Sequence, residues 1–261
     1  MKHFVFKSHD GYASGKTALK FSTRLDIIVV SHLISLTVLH LQFFRVVGRR
    51  RAKRKLEHQR RRARNIASCR YTLPFRLDVC IDCRFSSKMS DKEISKLVKQ
   101  LGRVWGLQKK YSGLEVTLSL PCERILIEGR KVLSGFSNYK WKILQSQPYY
   151  EVCNKSFVYL SPDASLPPLL SLSENEAYII GGLVDESGAG SLSKDAANRL
   201  GVKACRLPIL EFMKRKKSGT YNVMLPINLV VEILAGFALS KQWVLTLSSL
   251  LPPRIGYEAH S

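Results

Sequence analysis

From Phe75 onward the apolar positions of this chain recur with two periods. Phe75–Phe85 alternates Leu77, Val79, Ile81, Cys83 and Phe85 with Arg76, Asp78, Cys80, Asp82 and Arg84, which is strand spacing. Ser90-Asp91-Lys92-Glu93 then reads as a capping box, with Ser90 as cap and Glu93 three residues on. The helix it opens carries Ile94, Leu97, Val98, Leu101 and Trp105 on one face. Leu114–Leu120 reads as strand and Arg124–Leu133 as helix. Phe157–Leu160 is a short strand before Ser161-Pro162-Asp163. Ala177–Val184 is an apolar run suited to the centre of a sheet. Leu192–Leu200 is a helix ended by Gly201. Val202–Leu207 reads as strand, and Pro208 opens a short helix. Lys214–Gly219 reads as a basic turn, Asn222–Leu225 as strand, and Pro226 opens a helix to about Leu239. This alternation predicts an α/β domain with a mainly parallel sheet and flanking helices.

Three of the predicted strands end in small, polar or Pro-containing turns, within Tyr178–Glu186, Cys205–Ile209 and Met224–Asn228. Ligands of open α/β sheets bind beyond the carboxyl ends of strands. One acid, Asp185, stands at the first of these ends. The pattern points to a small-molecule cofactor site with a single carboxylate beside it.

The region before the domain differs in kind. Ile27–Phe44 holds no Lys, Arg, Asp or Glu, and its length is at the lower limit for a membrane-spanning helix. His32, His40 and Gln42 weaken that reading. A membrane or targeting segment, a partner-binding helix and a segment with no role in the fold all remain open. Arg45–Arg64 carries eleven Lys/Arg against one acid, Glu57, in a helix-favouring composition. The expected organisation is an N-terminal segment over 1–48, a basic arm over 49–70, the folded domain over 71–251 and a tail over 252–261.

Charge and rare residues narrow the chemistry. The 42 Lys+Arg against 20 Asp+Glu give a net charge of +22, which favours a polyanionic partner such as nucleic acid or an anionic membrane. No histidine lies between Gln59 and Ala259, so a Ser-His-Asp site or a His-ligated metal is excluded from the globular part. The six cysteines are scattered and give no disulfide framework. Cys80 and Cys83 form a C-x-x-C, but on a strand their sulfurs point to opposite faces, which argues against a shared metal or disulfide. Cys205 reads as a small buried apolar residue rather than a nucleophile. Trp105, Trp141 and Trp243 read as packing residues. Gly11-Tyr-Ala-Ser-Gly15-Lys16-Thr17 is one residue short of a phosphate-binding loop, and Gly188-Ala-Gly190 lacks the third glycine of a dinucleotide fingerprint.

Taken together, Tyr178–Glu186, Cys205–Ile209, Met224–Asn228 and Leu160-Ser-Pro-Asp163 resemble the position-nine tRNA N1-methyltransferases of the SPOUT superfamily. Ile81-Asp82-Cys83, Met89–Glu93 and Gln100-Leu-Gly-Arg103 are similar to that family's opening strand and helix. The resemblance runs from about Arg60 to Trp243 and looks nearest to the B-type animal branch. It implies a C-terminal trefoil knot, a monomer, tRNA as substrate and S-adenosylmethionine as cofactor, with no metal. It places Leu160, Gly181, Gly182, Glu186, Ser187, Gly188, Ala189, Gly190, Ser193, Cys205, Leu207 and Leu225 around the cofactor. Pro226 departs from the Thr or Ala usual in the family and removes a backbone donor. The resemblance makes Asp185 the general base that takes the proton from guanine N1; a helix cap or turn acid is the plainer reading of the same residue. Asp82 and Gln100 fall on positions near the target base, and each is equally readable as a surface residue. Lys109, Lys110, Arg60, Arg61, Arg62 and Arg64 are the expected phosphate contacts. A nuclear or cytoplasmic location follows from the resemblance, with mitochondrion or membrane attachment as the alternatives raised by Ile27–Phe44. A non-catalytic RNA-binding protein of the same fold and adenine N1 methylation are the alternative functions.

Overall fold

The computed structural model describes residues 71–165, 167–185 and 191–260, together with 32, 47–48, 51–57 and 59. The chain divides into two compact units, Met1–Ser68 and Cys69–Ser261. In the first unit, residues 51–57 are helical and exposed. Arg60–Arg64 lies outside the described residues, as does Ile27–Phe44 apart from His32. Among the described residues no helix is long and apolar enough to cross a membrane.

The main sheet of the second unit has six strands among the described residues: β1 (Tyr71–Asp82), β2 (Tyr111–Ser119), β3 (Lys142–Leu144), β4 (Ser156–Leu160), β5 (Glu176–Gly181) and β6 (Lys203–Cys205). They pair in the order β3-β2-β1-β5-β4-β6, and every pairing is parallel. β1 is longer at its start and shorter at its end than its alternation predicts. A register irregularity between Thr72 and Leu77 admits the extra residues around Pro74. At the other end the chain leaves the sheet after Asp82 for a 3-10 turn over Cys83–Lys88, whose first turn is fixed by the Arg84 N–H donating to the Asp82 carboxylate.

The longest helix of the domain follows the periodicity. α1 (Asp91–Lys110) starts at the expected capping box: Ser90 Oγ accepts from the Glu93 N–H, and the Glu93 carboxylate accepts from the Ser90 N–H at 2.8 Å. α2 (Glu123–Val132), α3 (Tyr149–Val152), α4 (Leu192–Leu200), α5 (Ile209–Phe212), α6 (Ile227–Ser240) and α7 (Trp243–Leu250) follow in order. Gly201 ends α4 in the left-handed region (φ 63°), where a side chain would be strained.

The core lies on both faces of the sheet. One face gathers Leu77, Val79, Ile81, Ile180 and Leu160 under Leu97, Leu101, Ile233 and Leu234 of α1 and α6. The other holds Cys80, Tyr159 and Ile179 against Ala196 and Ala197 of α4. Cys80 and Cys83 fall in different clusters, and both are free thiols. The three tryptophans pack: Trp105 stacks on Tyr139 with centroids 4.8 Å apart, Trp141 meets Tyr139 edge-on, and Trp243 stacks on Phe237.

Two expectations give way. Asn222–Leu225 is not a strand: the left-handed backbone of Tyr221 (φ 50°) and the turn in which Asn222 Oδ1 accepts from the Met224 N–H divert it from the sheet. Lys214–Gly219 is not simply a turn either. Its start belongs to β7 (Met213–Arg215), which pairs antiparallel with β8 (Tyr257–Ala259), so residues 252–261 carry a strand of a second, two-stranded sheet.

Candidate active site

At the carboxyl ends of β4, β5 and β6 the chain leaves a cavity of about 470 Å³. That volume is the usual scale of a small-molecule or cofactor site. Leu160, Ile180, Leu207, Leu225 and Val230 give it apolar walls, and Asp163, Asp185, Ser193, Asn222 and Gln100 bring polar groups to it. Its position is the one expected from the strand ends. The irregular segment 222–226 forms one wall, because its backbone has left the sheet.

Of the residues assigned to the cofactor from sequence, Leu160, Gly181, Ser193, Leu207 and Leu225 line this cavity, and so does Asp185. Glu186, Ser187, Gly188, Ala189 and Gly190 lie outside the described residues. Gly182 and Cys205 do not line it. The Gly182 N–H donates to the Asp82 carbonyl at 2.8 Å, and a Cβ there would come within 2.8 Å of that same oxygen. Glycine at 182 therefore lets β5 run against the end of β1. At Gly181 an added Cβ would meet Ser193 Oγ, so the bare backbone keeps the cavity floor open. Cys205 is fully buried, and burial pushes its thiol pKa up, which keeps it protonated. Its backbone carbonyl accepts from the Ser161 N–H and joins β6 to the turn after β4.

Gln100 and Asp82 separate. Gln100 lines the cavity from α1, and its Oε1 accepts from the Ile227 N–H at 2.8 Å. That bond caps the first turn of α6, whose preceding residue, Pro226, supplies no side-chain cap. A backbone N–H is met by the carbonyl end of an amide, so the amino end of Gln100 carries the two remaining donors. Asp82 does not line the cavity. It is 3% exposed, and its carboxylate accepts from Arg84 Nη2 at 2.7 Å and from the Tyr159 hydroxyl at 2.9 Å. Burial and the adjacent Asp82 carboxylate push the Tyr159 phenol well above its ordinary range, so it remains the donor. Asp82 thus ties β1 to β4.

The expected phosphate contacts also separate. Lys109 is exposed, with its ammonium 5.6 Å from the Trp105 ring centroid. Lys110 instead donates to Glu232 at 2.9 Å, joining α1 to α6. Arg60, Arg61, Arg62 and Arg64 lie outside the described residues. Lys92, Lys96, Lys99 and Arg103, not among the contacts expected from sequence, share the outer face of α1 and run past Gln100. Their spacing of four, three and four residues was the available signal. Among the described residues no group of three or more His, Cys, Asp or Glu side chains is placed to hold a metal.

Comparison with known proteins agrees with this architecture. The family described as "tRNA (guanine(9)-N(1))-methyltransferase TRM10/TRM10A" matches residues 45–256. The chain is 33% identical over 186 residues to tRNA methyltransferase 10 homolog B of Danio rerio, a match covering 69% of this chain and 60% of that protein. With the homolog B of Homo sapiens it is 30% identical over 223 residues, covering 76% of this chain and 70% of the relative. The match thus spans less than two thirds of the Danio rerio protein. The crystal structure of a full-length spTrm10–SAH complex superposes with a TM-score of 0.61 at 27% identity, covering 70% of this chain and 98% of that one. With its family matched over most of its length and its strand ends forming one cavity, the chain belongs to the TRM10/TRM10A family of tRNA methyltransferases.

Proposed function

We propose that this protein transfers a methyl group from S-adenosylmethionine to N1 of guanine at position nine of tRNA. The observation that carries the proposal is the cavity at the ends of β4, β5 and β6, with Asp185 and Gln100 both on its wall. The cavity fits the cofactor. Its volume suits a nucleoside with a short amino-acid arm, its apolar walls suit an adenine, and glycine at 181 leaves room against Ser193. Leu160, Leu207 and Leu225 would hold the cofactor. When bound, S-adenosylmethionine supplies an electrophilic methyl group on sulfur. Family membership is the ground for proposing the trefoil knot of the superfamily in the C-terminal half.

The residues of the chain do the rest. Guanine N1 carries a proton and becomes nucleophilic when that proton leaves. Asp185 would take it and leave the N1 lone pair free to accept the methyl group that bound S-adenosylmethionine would supply, the thioether being the leaving group. Deprotonation spreads negative charge onto O6. The Gln100 amino group, its carbonyl committed to Ile227, donates to O6 and stabilises that charge. The same donor opposes adenine, whose exocyclic amine offers no acceptor at that position. The basic face of α1 beside Gln100 takes the phosphates that flank the base.

Single-turnover reaction with labelled S-adenosylmethionine and total tRNA, followed by identification of the nucleoside, tests the proposal. N1-methylguanosine at position nine is expected. N1-methyladenosine would overturn the base assignment, and no transfer despite measured cofactor and tRNA binding would overturn the enzyme.

A further inference from the structure

The small sheet β7–β8 holds a second cationic surface. Arg215, Lys216, Lys217 and Arg254 are all exposed on it or on its flanking turns. None of the ion pairs among the described residues involves them; the nearby acids are otherwise engaged, Glu211 with Arg206 and Glu258 with Lys214. These cations are carried by ordered backbone. The Lys216 N–H donates to the Gly256 carbonyl at 2.8 Å, the Thr220 N–H to the Arg254 carbonyl at 3.2 Å, and the Tyr221 N–H to the Ile255 carbonyl at 2.9 Å. Gly219 and Gly256 approach so closely that a Cβ on either would strike the other's backbone.

The surface is also joined to the active-site cavity. The Arg215 guanidinium lies over the Tyr221 ring, 5.1 Å from its centroid, and the Tyr221 hydroxyl donates to the Lys216 carbonyl at 2.7 Å. Tyr221 is followed at once by Asn222, Val223, Met224 and Leu225, which form the cavity wall. Leu210 and Met224, both at least half exposed, make an apolar rim at the same mouth.

We propose that Lys216, Lys217 and Arg254 form a docking platform for the phosphodiester backbone of the RNA substrate, beside the nucleotide that enters the cavity. A one-signed cluster on a laced backbone suits phosphates, because holding it in place costs little further ordering on binding. Its continuity with the cavity wall favours RNA over an anionic membrane, because a polynucleotide that delivers one base to the cavity must lay its neighbouring phosphates along the rim. The choice of RNA as the polyanion rests on the function proposed above; the exposed cationic cluster itself does not.

The test uses the full chain carrying Lys216→Gln, Lys217→Gln and Arg254→Gln together. Arg215 is left in place because it packs on Tyr221. Binding of a tRNA transcript is measured over a series of salt concentrations. The slope of log affinity against log salt is expected to become shallower by about two, on the scale of 0.7–0.9 per phosphate neutralised. S-adenosylhomocysteine affinity and thermal midpoint report on the integrity of the fold and are expected to hold. An unchanged slope with tRNA overturns the platform. So does a change confined to vesicles of anionic phospholipid, which would mark a membrane contact instead. Wild-type protein that transfers no methyl group while the slope still changes would overturn the proposed function and keep the platform. Normal transfer with an unchanged slope would do the reverse.

Discussion

At the scale of single residues, two side chains reach one cavity by different routes. Asp185 arrives on the irregular segment after β5, Gln100 on the regular helix α1. Their substitutions should separate. Asp185→Asn keeps the shape and removes the proposed base; single-turnover methyl transfer is expected to fall about 10²–10⁴-fold with cofactor affinity unchanged. An unaltered rate at neutral pH would remove Asp185 from the proton transfer. Gln100→Glu is more discriminating. A carboxylate still accepts from the Ile227 N–H, so α6 stays capped and the thermal midpoint should hold, but the donor proposed to face O6 is gone. Loss of one such donor is worth about 10²–10³-fold in rate. It should also move the acid limb of the pH–rate profile upward, because the deprotonated base is less stabilised. Gln100→Leu loses cap and donor together, so its rate should fall and its melting temperature should fall with it. If Glu and Leu at position 100 give the same melting temperature and wild-type rates, the side chain acts on neither the helix nor the base.

At the scale of elements, α1 shows how a local rule becomes a measurable quantity. Ser90 and Glu93 satisfy each other's backbone N–H groups. Ser90→Ala should cost about 1 kcal/mol, about 2–4 °C of melting temperature in a domain of this size. The hydrogen bonds from the Ser90 hydroxyl and N–H lower the Glu93 pKa below its ordinary 4.5. A carboxylate lowered in the folded state stabilises fully above its unfolded pKa and loses that contribution as pH falls through the folded value. The melting difference between wild type and Glu93→Gln should therefore be full at neutral pH and shrink on acidification; a difference that grew on acidification would contradict the box. α1 was readable because both its cap and its apolar stripe are local facts. β3 was not: three residues, all at least partly exposed, carry no period. Segment 222–225 has the composition of a strand, but Tyr221 and Asn222 turn it into the cavity wall. β7 and β8 escaped because neither three-residue strand can be seen without its partner. The candidate site divides in the same way. Asp185 and the strand ends could be placed from local pattern. The turning of Asp82 toward Arg84 and Tyr159, the capping of α6 by Gln100 and the use of Lys110 against Glu232 are tertiary facts, decided by which elements meet.

At the scale of the whole molecule, the basic charge is shared between an arm and the unit that carries the cavity. The unit Cys69–Ser261 contains the sheet, both core clusters and the cavity. Every described cavity residue and both faces of the sheet are its own. The arm Arg45–Arg64 holds eleven of the 42 Lys+Arg, and residues 51–57 are helical with no burial. A helix with so one-signed a surface repels itself, and a polyanion relieves that repulsion by neutralising it. Deleting residues 1–68 should therefore leave S-adenosylhomocysteine affinity within about twofold, since every described lining residue of the cavity belongs to Cys69–Ser261. Affinity for tRNA should drop, and the slope of log affinity against log salt should become shallower by about 0.7–0.9 for every phosphate that the arm had neutralised. Calorimetry with the cofactor product and a salt series with a tRNA transcript decide the matter on one pair of proteins. An unchanged tRNA slope would take the arm out of the RNA interface and leave α1 and the β7–β8 surface to carry it. Loss of cofactor affinity would show that the first unit supports the cavity directly.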